Sequence, residues 1–297
     1  TKSKSSLPHE SILMKCFRRY NFDTISWALR RLHCPVKKED LVLEIGSGAS
    51  PYFRSNVLCD AFESNHHRQN RSLVVDRPLI LGYAENLPFK DNSFDFIIAS
   101  HVLEHSDDPA LFISEIQRVG KAGYIEVPDA FMERLTGYPE HTLEITEKNS
   151  ELIIRKKIAR IQDKELERLF HNKARLVMPE LFSKYPFNFH VRLYWSRDTG
   201  GIKYKILNPN FSLKKRWNRA PKIPKNSQER RRVRAYLNSR VLRVIRILFS
   251  QNKKNNKINL LDLLQCTRCK SNDFKLKKHI AVCMSCKKET KVFTKED

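Results

Sequence analysis

The sequence has no long apolar run. Nowhere in its 297 residues is there anything near the ~20 consecutive apolar positions that a membrane-spanning helix needs. Positions 1–10 are polar and lack the apolar core of a secretion signal, so a cytoplasmic protein is expected. No internal repeat is visible. Acidic residues are scarce in one half only. Residues 1–150 hold 18 Lys and Arg against 21 Asp and Glu, whereas residues 151–297 hold 38 against 12. The net charge of +23 therefore belongs entirely to the second half, which implies a surface that meets something anionic. Phosphorylated sugars, lipid head groups and RNA all qualify. Hydrophobic residues at 40% and charged residues at 30% suit a folded globular chain rather than a disordered one.

What is present alternates in type. Residues 7–34 read as helical, with Asp23 a candidate N-cap for the segment 24–33. Short apolar strands are expected at 41–45, 56–60, 79–82, 94–99 and 123–127. An amphipathic helix at 109–119 lies between the last two strands, opened by Asp107 and Asp108, whose charge complements a helix N-terminus. Apolar strands alternating with helices indicate a parallel α/β sheet. Beyond residue 130 the pattern weakens. Residues 151–176 read as a charged helix, 189–195 and 202–207 as a hairpin closed at 198–201, and 212–231 as a basic linker. Residues 233–249 interleave apolar positions with arginines, as a basic amphipathic helix does.

In sheets of this kind ligands bind at the carboxyl ends of the strands, where glycines let the backbone approach closely. Glu44-Ile45-Gly46-Ser47-Gly48 follows the first strand directly, and Asp60 ends the second, placed to hold ribose hydroxyls. These residues, followed by Ala84-Glu85-Asn86-Leu87-Pro88-Phe89, Ser93-Phe94-Asp95-Phe96-Ile97 and Leu103-Glu104-His105, resemble in order and spacing the type 11 family of class I methyltransferases, over roughly residues 40–130. The resemblance implies a Rossmann-like methyltransferase sheet with helices on both faces, and S-adenosylmethionine (SAM) as cofactor. It implies that Glu44, Gly46 and Gly48 line the methionine side of SAM and Asp60 the ribose. Ala84 and Glu85 would flank the adenine, and Ser100 and His101 would follow the fourth strand against the cofactor. The chain departs from the family at Tyr83, where members often carry Asp.

His101-Val102-Leu103-Glu104-His105 also matches the His-x-x-Glu-His pattern of inverted zinc proteases. That chemistry needs both histidines on one helical face and a third ligand further on. Here the pattern follows a strand inside a methyltransferase context, so His105 is read as packing or hydrogen-bonding at the edge of the cofactor pocket. Methyl transfer asks an enzyme to align the acceptor and, for a hydroxyl, to remove a proton. Glu126 and Asp129 beyond the fifth strand, and His141 on the next loop, are the candidate catalytic residues; an unperturbed imidazole titrates near pH ~6.5 and suits the task. The segment 126–145 resembles loops in methyltransferases from bacterial surface-polysaccharide gene clusters.

Four of the seven cysteines form two Cys-x-x-Cys knuckles, Cys266 with Cys269 and Cys283 with Cys286. Such pairs bring four thiolates to one tetrahedral Zn²⁺, a closed and hence structural site. Asn259-Leu260-Leu261-Asp262-Leu263-Leu264-Gln265, leading into the first knuckle, resembles a family of short zinc-ribbon proteins, some of which activate methyltransferases of tRNA, rRNA and protein. The expected organisation is a methyltransferase domain at 1–210, with its cofactor core at 40–130 and a substrate-side insertion at 130–210. A basic linker and helix at 211–257 and a zinc ribbon at 258–297 follow. The favoured acceptor is a phosphorylated or lipid-linked saccharide, with residues 233–249 touching an anionic membrane surface. RNA is the second candidate, although no recognisable RNA-binding module is present. A non-catalytic binding module of the same fold is the third.

Overall fold

A computed structural model of the chain describes residues 10–64, 71–136, 138, 140–157, 164–211, 244 and 248–294. Five short strands, β1 (Val42–Ile45), β2 (Val57–Asp60), β3 (Leu79–Leu81), β4 (Phe94–Ser100) and β5 (Gly120–Pro128), pair in parallel in the order β3-β2-β1-β4-β5. All four residues of β1 and of β2 are buried, as befits strands covered on both faces. Helix α1 (Ile12–Arg19) is capped by Ser11, whose hydroxyl accepts from Met14 N, and α2 is Asp23–Leu29. Asp23 is the first helical residue of α2 rather than its N-cap. Phe22 holds the capping position without a side-chain bond.

Helix α3 (Pro109–Val119) shows how sequence sets position. Proline stands at its start and Asp108 accepts from Leu111 N at 3.0 Å. Phe112, Ile113, Ile116 and Val119 form one buried face against the sheet. Each such side chain contributes about 1.5–3 kcal/mol through burial. From the same helix Glu115 takes Leu87 N, and Arg118 donates to Leu87 O and Phe89 O, fixing the segment between β3 and β4.

The second half departs from the sequence expectation in two places. Residues 151–156 are not helical; they form β7 (Glu151–Lys156), antiparallel to β6 (Leu143–Lys148), with Leu152 and Ile154 buried and Ile153 between them half-buried. Among the described residues helix α5 is Lys164–Lys184, after α4 (Ala130–Thr136). The turn at 198–201 exists, with Gly200 and Gly201 at positive φ, but the strands on either side of it do not pair. β8 (His190–Ser196) joins the large sheet antiparallel to β5, and β9 (Lys203–Ile206) pairs parallel to β7 in a separate three-stranded sheet. Partners distant in sequence outcompete the local hairpin because β5 offers β8 seven paired positions.

The opposite edge is closed by the C-terminus. β10 (Phe274–Lys277), β11 (Ile280–Cys283) and β12 (Glu289–Phe293) form a meander, and β12 pairs antiparallel with β3 through Val292 and Phe293. The large sheet thereby reaches nine strands. Leu260, Leu264, Ala281 and Val292 lie in one hydrophobic cluster with Ile80, Phe89 and Ile97, so the C-terminal unit shares the core of the sheet. Most of the expected linker and amphipathic helix, residues 212–243 and 245–247, lies outside the described residues. Among the described residues no helix is long and apolar enough to cross a membrane.

Candidate functional site

At the end of β1 the chain turns through Gly46 (φ 65°) and Gly48 (φ 56°), a backbone that L side chains rarely adopt. A Cβ on Gly46 would lie 2.3 Å from Val102 Cγ2, so Val102, two residues past β4, packs directly on the turn. Gly48 N donates to Asp60 Oδ2 at 2.9 Å and Phe62 N to Asp60 Oδ1 at 3.1 Å. The glycine turn and the acid ending β2 are thus one unit, at the crevice side of the sheet. Ser47 Oγ, inside the turn, is buried with no hydrogen-bond partner among the described residues, the state of a group that a polar ligand satisfies. The residues present fit a nucleoside cofactor here. Ala84 is buried at the start of a tight turn, and Glu85 accepts from Ser106 Oγ at 2.6 Å. Tyr83 is exposed, with its ring against Phe62.

Glu44 has a more internal task than the resemblance implies. It is buried and accepts from Tyr52 N at 2.7 Å and Ser55 Oγ at 2.8 Å, bracing the loop that follows the turn. Burial pushes its carboxyl up to about 7, against the pull of Arg31 and its two donors.

At the end of β4, His101 sits in the left-handed region at φ 58°, strained for a non-glycine residue. Its ring lies between two carboxylates, Nδ1 3.4 Å from Glu104 and Nε2 3.4 Å from Glu126. Burial works against its charge, yet the two acids hold its pKa up to about 9. Glu126 was expected to be a proton acceptor. Instead it is fully buried, receives Arg30 Nε at 2.7 Å and Nη2 at 3.0 Å, and accepts from Ser100 and Tyr124 hydroxyls. Burial favours its neutral form, but His101 and Arg30 overcome that and hold it well below the carboxylate range. A carboxylate so paired is a poor base, and its part is to position His101 and Arg30. Asp129 is likewise occupied, accepting from Phe131 N and Thr146 Oγ1 at the start of α4.

His141 is the member of the expected trio that keeps a ring nitrogen available. Its Nδ1 lies 2.5 Å from Glu133 Oε2, a buried carboxylate that also receives Lys157 Nζ. The ring meets His105 edge-on, centroids 4.7 Å apart. Thr142 N donates to Glu104 O at 2.8 Å, so the start of β6 brings His141 against the Leu103–His105 turn. Glu104, His105 and His141 offer ligand atoms within 4.8 Å of one another. The cluster is not the ligand set of the His-x-x-Glu-His pattern, because the His101 ring faces Glu104 and Glu126 and does not join it.

Beside His101 stands His190, with ring centroids 5.4 Å apart. Burial lowers its pKa to about 4, so it is neutral near pH 7. It lines a cleft of about 480 Å³ together with Lys15, Arg18 and Arg192, three cations against Glu10 and Glu147. Sequence reasoning missed Arg30, Glu133 and His190. None belongs to a local motif: Arg30 stands at the end of α2, Glu133 on α4 and His190 at the start of β8, and only the tertiary fold brings them together.

In the C-terminal unit Cys266 and Cys286 Sγ are 3.5 Å apart, as are Cys269 and Cys283. A tetrahedron of thiolates at Zn–S ~2.3 Å has edges of ~3.8 Å, so the four residues fit a zinc ion after a slight opening.

Residues 43–125 match the model of the methyltransferase domain family. The fold is accordingly a Rossmann-like methyltransferase sheet, here extended by the C-terminal four-cysteine unit. An uncharacterized protein of Methanocaldococcus jannaschii is 44% identical over 98 residues, which are 32% of this chain and 45% of that protein. The chain thus spans about half the length of this curated relative. Among solved structures, a SAM-dependent methyltransferase of Thermotoga maritima is 23% identical, covering 55% of this chain and 75% of that one, with a TM-score of 0.31. A Haloferax volcanii complex of the Trm112 methyltransferase activator with a methyltransferase gives 16% identity. It covers 65% of this chain and 94% of that one, with a TM-score of 0.34.

Proposed function

We propose that the chain is a SAM-dependent methyltransferase acting on a hydroxyl of an anionic acceptor, a phosphorylated or lipid-linked saccharide. The observation that carries this reading is the glycine turn tied to Asp60 at the carboxyl ends of β1 and β2, inside the stretch that matches the methyltransferase domain. Gly46, Ser47 and Gly48 would hold the methionine end of SAM and Asp60 the ribose, with Ala84 and Glu85 beside the adenine. Ser100 and His101 would form the wall after β4. When bound, SAM supplies a methyl group activated on a positively charged sulfur.

The chain's own work is alignment and proton removal. The Glu104, His105 and His141 cluster stands after β4, joined to the glycine turn through Val102. Glu133 holds His141 Nδ1 and leaves Nε2 facing away, which suits a group that handles an acceptor proton. In the neighbouring cleft Arg18 and Arg192 already face Glu10, and Lys15 adds a further cation, a balance that favours a phosphate-bearing acceptor over a neutral one. The basic segment 233–249 would bring the enzyme to anionic lipid, where a lipid-linked saccharide resides. The charge surplus of residues 151–297 also favours a second reading, RNA as acceptor.

Transfer of labelled methyl groups from SAM into lysate fractions separates these. Label in glycolipid or saccharide extracts that disappears with Asp60→Ala is the expected result. Label confined to RNA would replace the first reading by the second, and SAM binding without any transfer would leave a binding module.

A further inference from the structure

We propose that Glu104, His105 and His141 form a binding site for a divalent transition-metal ion at the acceptor end of the crevice, separate from the four-cysteine unit. Two imidazoles and one carboxylate converge there within 4.8 Å of one another, a ligand set suited to Zn²⁺, Mn²⁺ or Co²⁺.

Three independent features point to an ion. The first is a buried carboxylate that is only partly satisfied. Glu104 is 1% exposed, yet neither of its oxygens has a hydrogen-bond partner among the described residues, and the nearest cationic group, His101 Nδ1, is 3.4 Å away. The other buried glutamates of this region behave differently. Glu44 and Glu126 each accept at least two donors, and Glu133 contacts both His141 and Lys157. His101 meets only Oε1, at ion-pair distance, so the other oxygen of this buried carboxylate stays unsatisfied, and a second cation there removes that cost.

The second feature is the orientation of both rings. His105 Nδ1 faces Glu140 O at 3.1 Å and His141 Nδ1 faces Glu133 Oε2 at 2.5 Å. An acceptor on Nδ1 keeps the proton there and leaves the Nε2 lone pair available. Metal-binding histidines are held in this way by a carboxylate or carbonyl behind the ring.

The third feature is accessibility. His105 is exposed, so three protein ligands leave coordination positions open to solvent and acceptor, unlike the closed set of four thiolates. An ion held there would lower the pKa of a bound hydroxyl and orient it, so His141 would act as a ligand rather than as a free base. This last step rests on the O-methylation reading; the binding site itself does not.

The test uses the full chain, with its ribbon loaded with zinc, titrated with Co²⁺ and followed by metal analysis and visible absorption. The wild type is expected to take a second equivalent whose spectrum lacks thiolate charge-transfer bands. In His105→Ala and Glu104→Gln that equivalent should bind at least roughly 10-fold more weakly. His105 is exposed, so its variant should fold, and circular dichroism checks this. A wild type that takes no second equivalent, or an equally tight one in both folded variants, overturns the proposal. Methyl transfer to hydroxyl acceptors is measured separately. A chain that transfers methyl groups but takes no second equivalent would sink the metal site alone, whereas a second ion without transfer would sink the O-methylation reading alone.

Discussion

At the β3 edge of the sheet, β12 adds backbone pairing while Leu260, Leu264, Ala281 and Val292 bury apolar surface in the common core. At the carboxyl ends of the strands, by contrast, Glu44, Glu104, Glu126 and Glu133 are all buried, and glycine and histidine backbones sit at positive φ. The edge is built from groups that favour folding wherever they are buried. The crevice is built from groups that oppose folding unless each is paired. Each region also holds a ligand cluster of matching kind: soft, closed thiolates at the edge, and an open nitrogen and oxygen set in the crevice. The contrast teaches that the edge is held by apolar burial and the crevice by pairing of buried charges, which unpairing turns into a cost.

The largest expected effect lies at the edge. Cys283→Ser, or removal of zinc by a chelator, should destabilise the whole chain by at least about 4 kcal/mol, because the ribbon and the sheet share one core. Thermal unfolding should show one transition moving down. Two transitions, with the larger unchanged, would break the comparison by making the ribbon a separate domain. In the crevice, Arg30→Met leaves Glu126 buried without its main partner and should cost about 3–5 kcal/mol in denaturant unfolding. Adding Glu126→Gln should recover much of that loss, and no recovery would mean Arg30 acts through packing on Trp27 instead.

A smaller effect concerns pH. The folded-state pKa of Glu44 is raised from 4.5 to about 7, so the folded state binds the proton more tightly than the unfolded chain. Its stabilising contribution is complete below pH ~4.5 and is lost as pH rises through about 7. The change is of order ~3 kcal/mol. Glu44→Gln should flatten this part of the profile, and an unchanged slope would remove Glu44 from the account. The smallest stability effect is expected for His105→Ala. It should alter unfolding by no more than about 0.5 kcal/mol while reducing methyl transfer at least roughly tenfold. A stability loss larger than the activity loss would erase the division between edge and crevice.

The strands of the cofactor core were legible because they are short apolar runs with glycines or acids at their carboxyl ends. The knuckles were legible because Cys-x-x-Cys is local. The segment 151–156 was not, since an apolar run Leu152-Ile153-Ile154 flanked by Glu151, Arg155 and Lys156 also suits a helix until β6 offers a partner. Nor was the pairing of β8 with β5, where Tyr194 opposes Tyr124 across a separation that no local pattern encodes. The candidate site divides in the same way. Glu104 and His105 stand in a visible motif, but His141 reaches them through tertiary bonds such as those of Thr142 to Glu104 O and Ser106 O. Glu126 looked like a free base because Arg30, 96 positions earlier, gives no sign of its destination.

The most direct test of the central claim is calorimetric titration of the full chain with SAM, beside Asp60→Ala. The account predicts one equivalent bound by the wild type, with affinity falling at least roughly tenfold in the variant while its circular dichroism is unchanged. No binding by the folded wild type, or equal affinity in both, would contradict the cofactor site and the activity built on it.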